Sequence, residues 1–242
     1  MEISRLYERL TQHHYCHEPD FNELIRIAPG DRETFQAYWA NLMRDDAFKD
    51  YTHRERRILR YRLLPSGQLQ MDRNAEYTSS VVYPVNYRQG TNALSYAEEG
   101  FIAHPVLQQL LAADIALIGP RLKNHIWSID IHQFRVKADN ALSSPTTSGI
   151  HQDGLDWVFM HFIDAQNTMA VVSEVFASQA AESCLLRVPM VQFLETIVID
   201  DSLVYHRAGD VRQVAGQHPA WRDLLLVGFR RLPTNEEASS PC

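Results

Sequence analysis

Along the chain, the spacing of apolar positions changes from helical to strand-like and back before settling on strands. In "DRETFQAYWANLMRD" the residues Phe35, Tyr38, Trp39, Leu42 and Met43 fall on one helical stripe, after a Pro29-Gly30 break. This predicts a helix whose aromatics pack in a core. "RRILRYRLLPSGQLQM" then alternates apolar and basic positions around a Pro-Ser-Gly turn, the pattern of a hairpin, and "TSSVVYP" follows as a further strand. "HPVLQQLLAADIALIG" returns to helical spacing, with Pro105 suited to the first turn. From His125 onward strand-like runs dominate: "HIWSIDIHQFRVKA", "DWVFMHFI", "TMAVVSEVF", "CLLRVPM", "ETIVID" and "RDLLLVGFRRL". Short strands with no helix between each pair predict an antiparallel sandwich or barrel, not a parallel α/β sheet. The expected organisation is a single domain over 1–242. A helix-rich part, roughly 1–120, packs on a β core, roughly 121–232, and a polar tail, 233–242, is flexible.

Composition narrows the function classes. A chain of 242 residues buries a substantial core without disulfide or metal staples. Its net charge of −7 and lack of a long basic run argue against a nucleic-acid partner. The basic cluster in "HRERRILRYR" reads as a solvated strand face. Cys16, Cys184 and Cys242 are widely spaced without a CxxC pair, so neither a zinc ribbon nor a disulfide framework is indicated. "MEISRLYERL" lacks the apolar stretch of a secretory signal, and no apolar run is long enough to cross a bilayer. The expectation is a cytoplasmic protein with no membrane partner; the sequence does not determine its oligomeric state.

The chemistry concentrates in "SGIHQDGLDWVFMHFID". In an extended chain residues i and i+2 share a face, so His151 and Asp153 can present an imidazole and a carboxylate to one point. His206, in "DDSLVYHRAGD", is the best third ligand. Two histidines and a carboxylate form the facial triad of non-haem iron oxygenases, which keeps positions open; zinc would usually take a tetrahedral site. H-x-D alone is weak evidence. What strengthens it is Arg222, which opens an apolar strand in "WRDLLLVGF", where a guanidinium is costly unless it meets an anion. Either Arg222 clasps the distal carboxylate of 2-oxoglutarate, or it pairs with an acid such as Asp223. By strand alternation His161 shares a face with His151 and Asp153, yet it reads as a core or supporting histidine. His132 and Gln133 are supporting or pocket groups, and His13 and His14 are surface residues.

The runs "GIHQDGLDWVFMHFID", "LETIVIDDSLVYHRAG", "WRDLLLVGF" and, upstream, "IDIHQFRVKA" resemble the bacterial 2-oxoglutarate/Fe(II)-dependent dioxygenases that hydroxylate free L-amino acids. The L-isoleucine 4-hydroxylase group is the closest that can be named. The resemblance weakens between about Tyr87 and Leu111 and is not recognisable before about Tyr51. It implies a mainly β protein with flanking helices around a double-stranded β-helix, a jelly-roll, cupin-like core. It also implies His151, Asp153 and His206 as ligands of Fe(II), Arg222 as the 2-oxoglutarate clamp, and dioxygen as co-substrate. A C–H bond of a free, aliphatic L-amino acid would be hydroxylated, with release of succinate and CO2. Halogenases of similar design lack the carboxylate at the position of Asp153, so hydroxylation is the implied outcome. After "IDAQNT" the resembling group has a Gly-Gly-Asp/Asn turn where this chain reads "MAVVSEVF", which bears most on substrate identity.

For the substrate, Arg135 is a candidate partner of the carboxylate or else a surface arginine, and Gln133 is a candidate pocket group. Asp156 or Glu174 could meet the ammonium, and Trp157 and Phe159 could form pocket wall or core. Two rival classes stand beside the hydroxylase. One is a non-catalytic jelly-roll binding or stress-response protein that retains the metal site. The other is a zinc-dependent hydrolase or isomerase, which would want a third histidine near H-x-D and has no use for Arg222.

Overall fold

The computed structural model describes residues 3–45, 52–73, 95–138, 142–145 and 149–233. "TSSVVYP" and nearly all of the tail lie outside these residues. Among the described residues four α-helices, α1 (Ile3–His13), α2 (Asp31–Ala37), α3 (Glu99–Ile102) and α4 (Pro105–Leu122), accompany thirteen strands. The strands are β1 (Tyr15–Glu18), β2 (Met43–Arg44), β3 (His53–Leu63), β4 (Leu69–Met71), β5 (Trp127–Lys137), β6 (Leu142–Ser143) and β7 (Trp157–Gln166), followed by β8 (Val172–Phe176), β9 (Cys184–Pro189), β10 (Thr196–Asp200), β11 (Tyr205–Ala208), β12 (Val211–Arg212) and β13 (Trp221–Arg231). The protein is mainly β. An eight-stranded antiparallel sheet runs β1-β10-β7-β13-β5-β3-β2, with β4 on β3; β11-β8-β9 and β12-β6 form smaller sheets.

The main sheet draws on both sides of residue 120. The hairpin read around Pro-Ser-Gly is β3–β4, with Leu64 N–H donating to the Gln68 carbonyl. α4 begins where Pro105 suggests, and the His104 imidazole Nδ1 accepts from Val106 N–H at its start. The predicted helix over "DRETFQAYWANLMRD" stops at Ala37. Phe35 and Trp39 are fully buried as expected, but Met43 lies on the edge strand β2 and is 52% exposed. A five-residue stripe can be shared between one helical turn and the bends after it, because burial constrains direction and not φ/ψ.

Strand alternation divides the main sheet into two unlike faces. Trp157, Phe159 and Ile163 of β7, Leu225, Val227 and Phe229 of β13, and Ile129 and Ile131 of β5 join one cluster with Leu107, Leu110, Leu111 and Leu117 of α4. On the other face Val158 and Phe162 pack with Val175 of β8 and with Leu186 and Val188 of β9. The first is the helix-facing side; the second is the inner side, enclosed between the sheets. Burying that many large apolar side chains on the helix side, at about 1.5–3 kcal/mol each, fixes the register, since a slip by one residue would turn them all the other way.

This parity corrects three substrate candidates. Arg135 stands opposite Asp223 across β5–β13, on the helix-facing side. Its Nε and Nη2 donate to the two Asp223 carboxylate oxygens at 2.8 and 2.6 Å, and its guanidinium stacks 4.1 Å from the Trp221 ring centroid. Gln133 shares that side by alternation, and Trp157 belongs to the helix-side cluster. Asp156 instead accepts the Arg231 N–H at 2.8 Å. Glu174 is held by Arg207 and Arg187. The basic run around Arg54 is corrected too. Arg54 and Arg56 are 7% and 3% exposed, and both alternate onto the inner side. No helix among the described residues is long and apolar enough to cross a membrane.

Burial pushes the Asp223 carboxyl up to about 7, against the pull of Arg135. Arg135→Ala is therefore expected to lower the unfolding free energy by about 3 kcal/mol in urea titrations. The double variant Arg135→Ala/Asp223→Ala should recover part of that loss, because no buried charge is then left unpaired.

Candidate active site

His151 and His206 face each other as an isolated antiparallel bridge. His151 N–H donates to the His206 carbonyl at 3.0 Å and His206 N–H to the His151 carbonyl at 2.8 Å, with ring centroids 4.4 Å apart. Three residues on from His151, Gly154 takes φ of 72°, a left-handed turn that swings the chain from this bridge into β7. Asp153, just before it, turns its carboxylate to both rings. Oδ1 is 3.5 Å from His151 Nε2 and Oδ2 is 3.4 Å from His206 Nε2. One ligand atom from each residue lies within 4.8 Å of the others, and no further group of three is found among the described residues.

The supports of this cluster come mostly from Asp201, which is 1% exposed. Its Oδ1 accepts Asp153 N–H at 3.1 Å and its Oδ2 accepts Leu155 N–H at 3.0 Å. Its carbonyl accepts Gln152 Nε2–H at 2.7 Å, and Oδ1 lies 3.5 Å from His206 Nδ1. On the other histidine, Nδ1 faces the Gly149 carbonyl at 2.9 Å. A ring nitrogen facing a carbonyl donates its proton there, and Nε2 is the nitrogen left for a metal. Burial opposes charge on His206, but the carboxylates of Asp153 and Asp201 outweigh it and push its pKa up to about 10. Desolvation would likewise raise Asp153, yet the two imidazoles hold its carboxyl well below the usual range. The local field thus favours positive charge among the three side chains. Together with two imidazoles and one carboxylate, it suits a divalent transition metal.

Arg222 rises from β13 on the inner side, 3% exposed. Its Nη2 donates to Ser173 Oγ at 3.2 Å, while Nε and Nη1 are buried with no partner. Burial pushes its pKa down to about 10, although the Glu195 carboxylate pulls the other way. The alternative pairing with Asp223 is not made, since Asp223 points to the opposite face. Ser173 stands two residues from Val175, which pairs with His206 across β8–β11. Two residues of strand span about 7 Å, comparable to the reach of a short dicarboxylate. The guanidinium of Arg222 is thus held against β8, the strand that pairs with the strand of His206. A cavity of about 250 Å³ also reaches Arg222, with Phe162, Val171 and Met190 in its wall. Thr168, Met169 and Ala170, from the segment that departs from the Gly-Gly turn, line it as well. The departure therefore touches the Arg222 end.

His161 is elsewhere. It is fully buried on the helix-facing side, with Nδ1 2.8 Å from Thr196 Oγ1 and Nε2 3.2 Å from Asp114 Oδ2. The bend at Gly154 breaks the parity count that would have set it beside Asp153. His132 alternates onto the inner side, stacked on Phe134 with centroids 5.6 Å apart. Sequence reasoning missed Asp201 and Ser173. Asp201 lies in "DDSLVYHRAGD" and Ser173 in "MAVVSEVF", but only the folded contacts give them a role.

Removing the hub should loosen the cluster without unfolding the chain. Asp201→Asn keeps one acceptor oxygen, so roughly 10- to 100-fold weaker Fe(II) binding is expected in an anaerobic competition assay. Unchanged affinity would count against Asp201 as its support.

Comparison with known proteins follows the same lines. No curated protein matches the sequence. Among solved structures, a bsmA homolog from Methylobium petroleophilum PM1 superposes with a TM-score of 0.82 at 24% identity, over 95% of this chain and 93% of that one. IDO from Bacillus thuringiensis gives 0.78 at 17%, over 96% of each chain. The Fe(II)/(alpha)ketoglutarate-dependent dioxygenase TqaL gives 0.74 at 15%, over 96% of this chain and 88% of that one. At these identities the likeness establishes the fold, the jelly roll of 2-oxoglutarate oxygenases. The family model for 2OG-Fe dioxygenases matches residues 36–228, and the chain belongs to that family.

Proposed function

We propose that the protein is a hydroxylase of a free, aliphatic L-amino acid that acts through His151, Asp153, His206 and Arg222. The family implies Fe(II) and 2-oxoglutarate. The observation that carries the site assignment is the pair of unpartnered buried nitrogens on Arg222, on the side of the sheet that carries the His/Asp/His cluster. A buried guanidinium with two unmet N–H groups costs several kcal/mol unless an anion completes it. The distal carboxylate of 2-oxoglutarate would do so through a bidentate pair. The amino-acid substrate rests on the resemblance of the H-x-D, H-Q-x-R and closing-strand motifs to free amino-acid hydroxylases.

In this reading, bound Fe(II) and 2-oxoglutarate supply, with dioxygen, the oxidising chemistry that exchanges a C–H hydrogen for hydroxyl and leaves succinate and CO2. The chain's own part is positional. His151 and His206 present Nε2, with the His151 tautomer set by the Gly149 carbonyl and the His206 ring set by Asp201. Asp153 supplies the carboxylate that distinguishes a hydroxylating site from a halogenating one. Arg222 orients the co-substrate, and Phe162, Val175 and Leu224 keep the inner side apolar so that water is kept from the reaction. The rival reading of a non-catalytic jelly roll gives no reason to maintain a buried, unpartnered arginine beside the cluster. A zinc hydrolase has no use for it.

Anaerobic titration with Fe(II) and 2-oxoglutarate should produce the metal-to-ligand charge-transfer band of the chelate. Asp153→Ala and His206→Ala are expected to abolish it and His161→Ala to keep it. Arg222→Leu should weaken 2-oxoglutarate binding by roughly 100-fold, the loss of about 2.7 kcal/mol. If wild-type protein binds no 2-oxoglutarate, the assignment of the site falls.

For the substrate, the twenty common amino acids are incubated with Fe(II), 2-oxoglutarate and oxygen. Succinate release coupled to a mass gain of one oxygen on an aliphatic member is expected. Absence of stimulation by every amino acid would remove the free amino-acid reading while leaving the oxygenase class intact.

A further inference from the structure

With Arg135 turned to the helix side, a free amino acid still needs a cation for its carboxylate on the inner side of the sheet. The described part of β3 offers one in an unusual setting. By alternation Arg54, Arg56 and Ile58 face inward, opposite Val136, Phe134 and His132 of β5. Both guanidiniums are buried and stack on one ring, with Arg54 Cζ 5.1 Å and Arg56 Cζ 5.5 Å from the Phe134 centroid. They converge on one carboxylate oxygen. Arg54 donates to Asp45 Oδ2 through Nε at 3.0 Å and Nη2 at 2.6 Å, and Arg56 Nη2 lies 3.1 Å from the same atom. Arg54 Nη1 also donates to the Pro145 carbonyl at 3.3 Å, and Asp45 N–H is tied to the Arg54 carbonyl at 2.8 Å. The result is a planar, stacked and braced arginine pair, the form of cation best suited to bidentate carboxylate recognition.

Its location matters more than its rigidity. β3 and β13 flank β5 on opposite sides, which separates the inner-facing rows of Arg56 and Arg222 by about 10 Å across the sheet. One arginine is therefore placed for each of two carboxylates lying side by side. His132, opposite Ile58 on the inner side, stacks on the same Phe134 ring with centroids 5.6 Å apart. Its pKa is lowered by burial first and then by Arg56, Arg54 and Arg60, against the pull of Asp153. The arginine pair and His132 thus share the inner side of the sheet with Arg222. Of the other inner-facing arginines on β3, Arg60 pairs with Asp130 and Arg62 with Asp72 at a more exposed position, whereas Arg54 and Arg56 converge together on Asp45.

We infer that Arg56, braced by Arg54 and Asp45 and stacked on Phe134, is the anchor for the substrate's carboxylate. The inference rests on the amino-acid reading above and specifies what that reading lacks. The anchor holds the invariant end of the amino acid on the β3 side, so that the side chain projects toward the cluster while the co-substrate occupies the β13 side. It makes the enzyme select for an ionised α-carboxylate, and it predicts that neutral amides are poor substrates.

The test compares L-isoleucine, L-leucine and L-methionine, each against its primary amide, by oxygenated product per succinate in the Fe(II)/2-oxoglutarate enzyme. Wild type is expected to prefer the acid by roughly 100-fold in kcat/KM, because a site built for a charged partner rejects the neutral analogue. Arg56→Gln should lose most of this preference through KM for the acid, and Arg56→Lys should keep part of it. The charge-transfer band with 2-oxoglutarate reports that the variants are folded and loaded. A variant that keeps wild-type acid-over-amide preference overturns the anchor and leaves the amino-acid reading standing. Equal use of acid and amide by wild type overturns it as well, with no variant required. If wild type oxygenates no amino acid, the amino-acid reading itself fails and the anchor with it.

Discussion

A single buried carboxylate, Asp201, ties the two halves of the candidate centre together. The loop from Gly149 to Leu155 and the strand carrying His206 come from segments some fifty residues apart, and neither has enough regular structure around the ligands to hold them by itself. Asp201 lies at the end of β10 and gathers both. It accepts two backbone N–H groups from the H-x-D loop and stands beside the far nitrogen of the His206 ring. Its burial makes those contacts stronger than their surface equivalents, and it makes an unsatisfied partner costly. The backbone bridge between His151 and His206 supplies closeness, and Asp201 supplies orientation.

The rest of the architecture assigns each side chain to a compartment. The helix side of the main sheet is an ordinary apolar core with enclosed polar pairs, Asp114 with His161 and Asp223 with Arg135. The inner side carries concentrated positive charge, including the two unpartnered nitrogens of Arg222. Arg222 and the pair Arg54/Arg56 sit there, on strands that flank β5. A core can afford polar groups that satisfy one another, whereas a binding site must keep some of them waiting for a ligand.

Much of this was legible along the chain. The strand-rich second half, α4 with its proline start and the β3–β4 hairpin followed from spacing, whereas the triplet of His151, Asp153 and His206 was weak by spacing and rested on the family resemblance. Arg222 stood out because a guanidinium opening an apolar strand needs an explanation. What failed was counting parity across irregular backbone. From Asp153 the alternation was carried through Gly154 into β7, which put His161 on the wrong face. Arg135 read equally as the partner of the amino-acid carboxylate or as a surface arginine, and nothing in the sequence showed Asp223 opposite. Arg54 and Arg56 were visible as an i, i+2 pair, but a basic run has no burial label in sequence, and only pairing with β5 turns it inward. Asp201 stands in a run that carries the resemblance, yet nothing in the sequence assigned it a role, since its importance lies in contacts made by folding.

The ladder between β13 and β7 shifts register between Asp223 and Leu224, so that Ile163 is passed over in the pairing. That irregularity sits where a helix-side acid and an inner-side arginine are chain neighbours. Adding or deleting one residue at the start of β13 would exchange their addresses. Asp223 would then face the histidines and Arg222 would enter the apolar core, with composition and net charge almost unchanged. A single-residue length change inside the strand would invert the electrostatic sign of the site in one step.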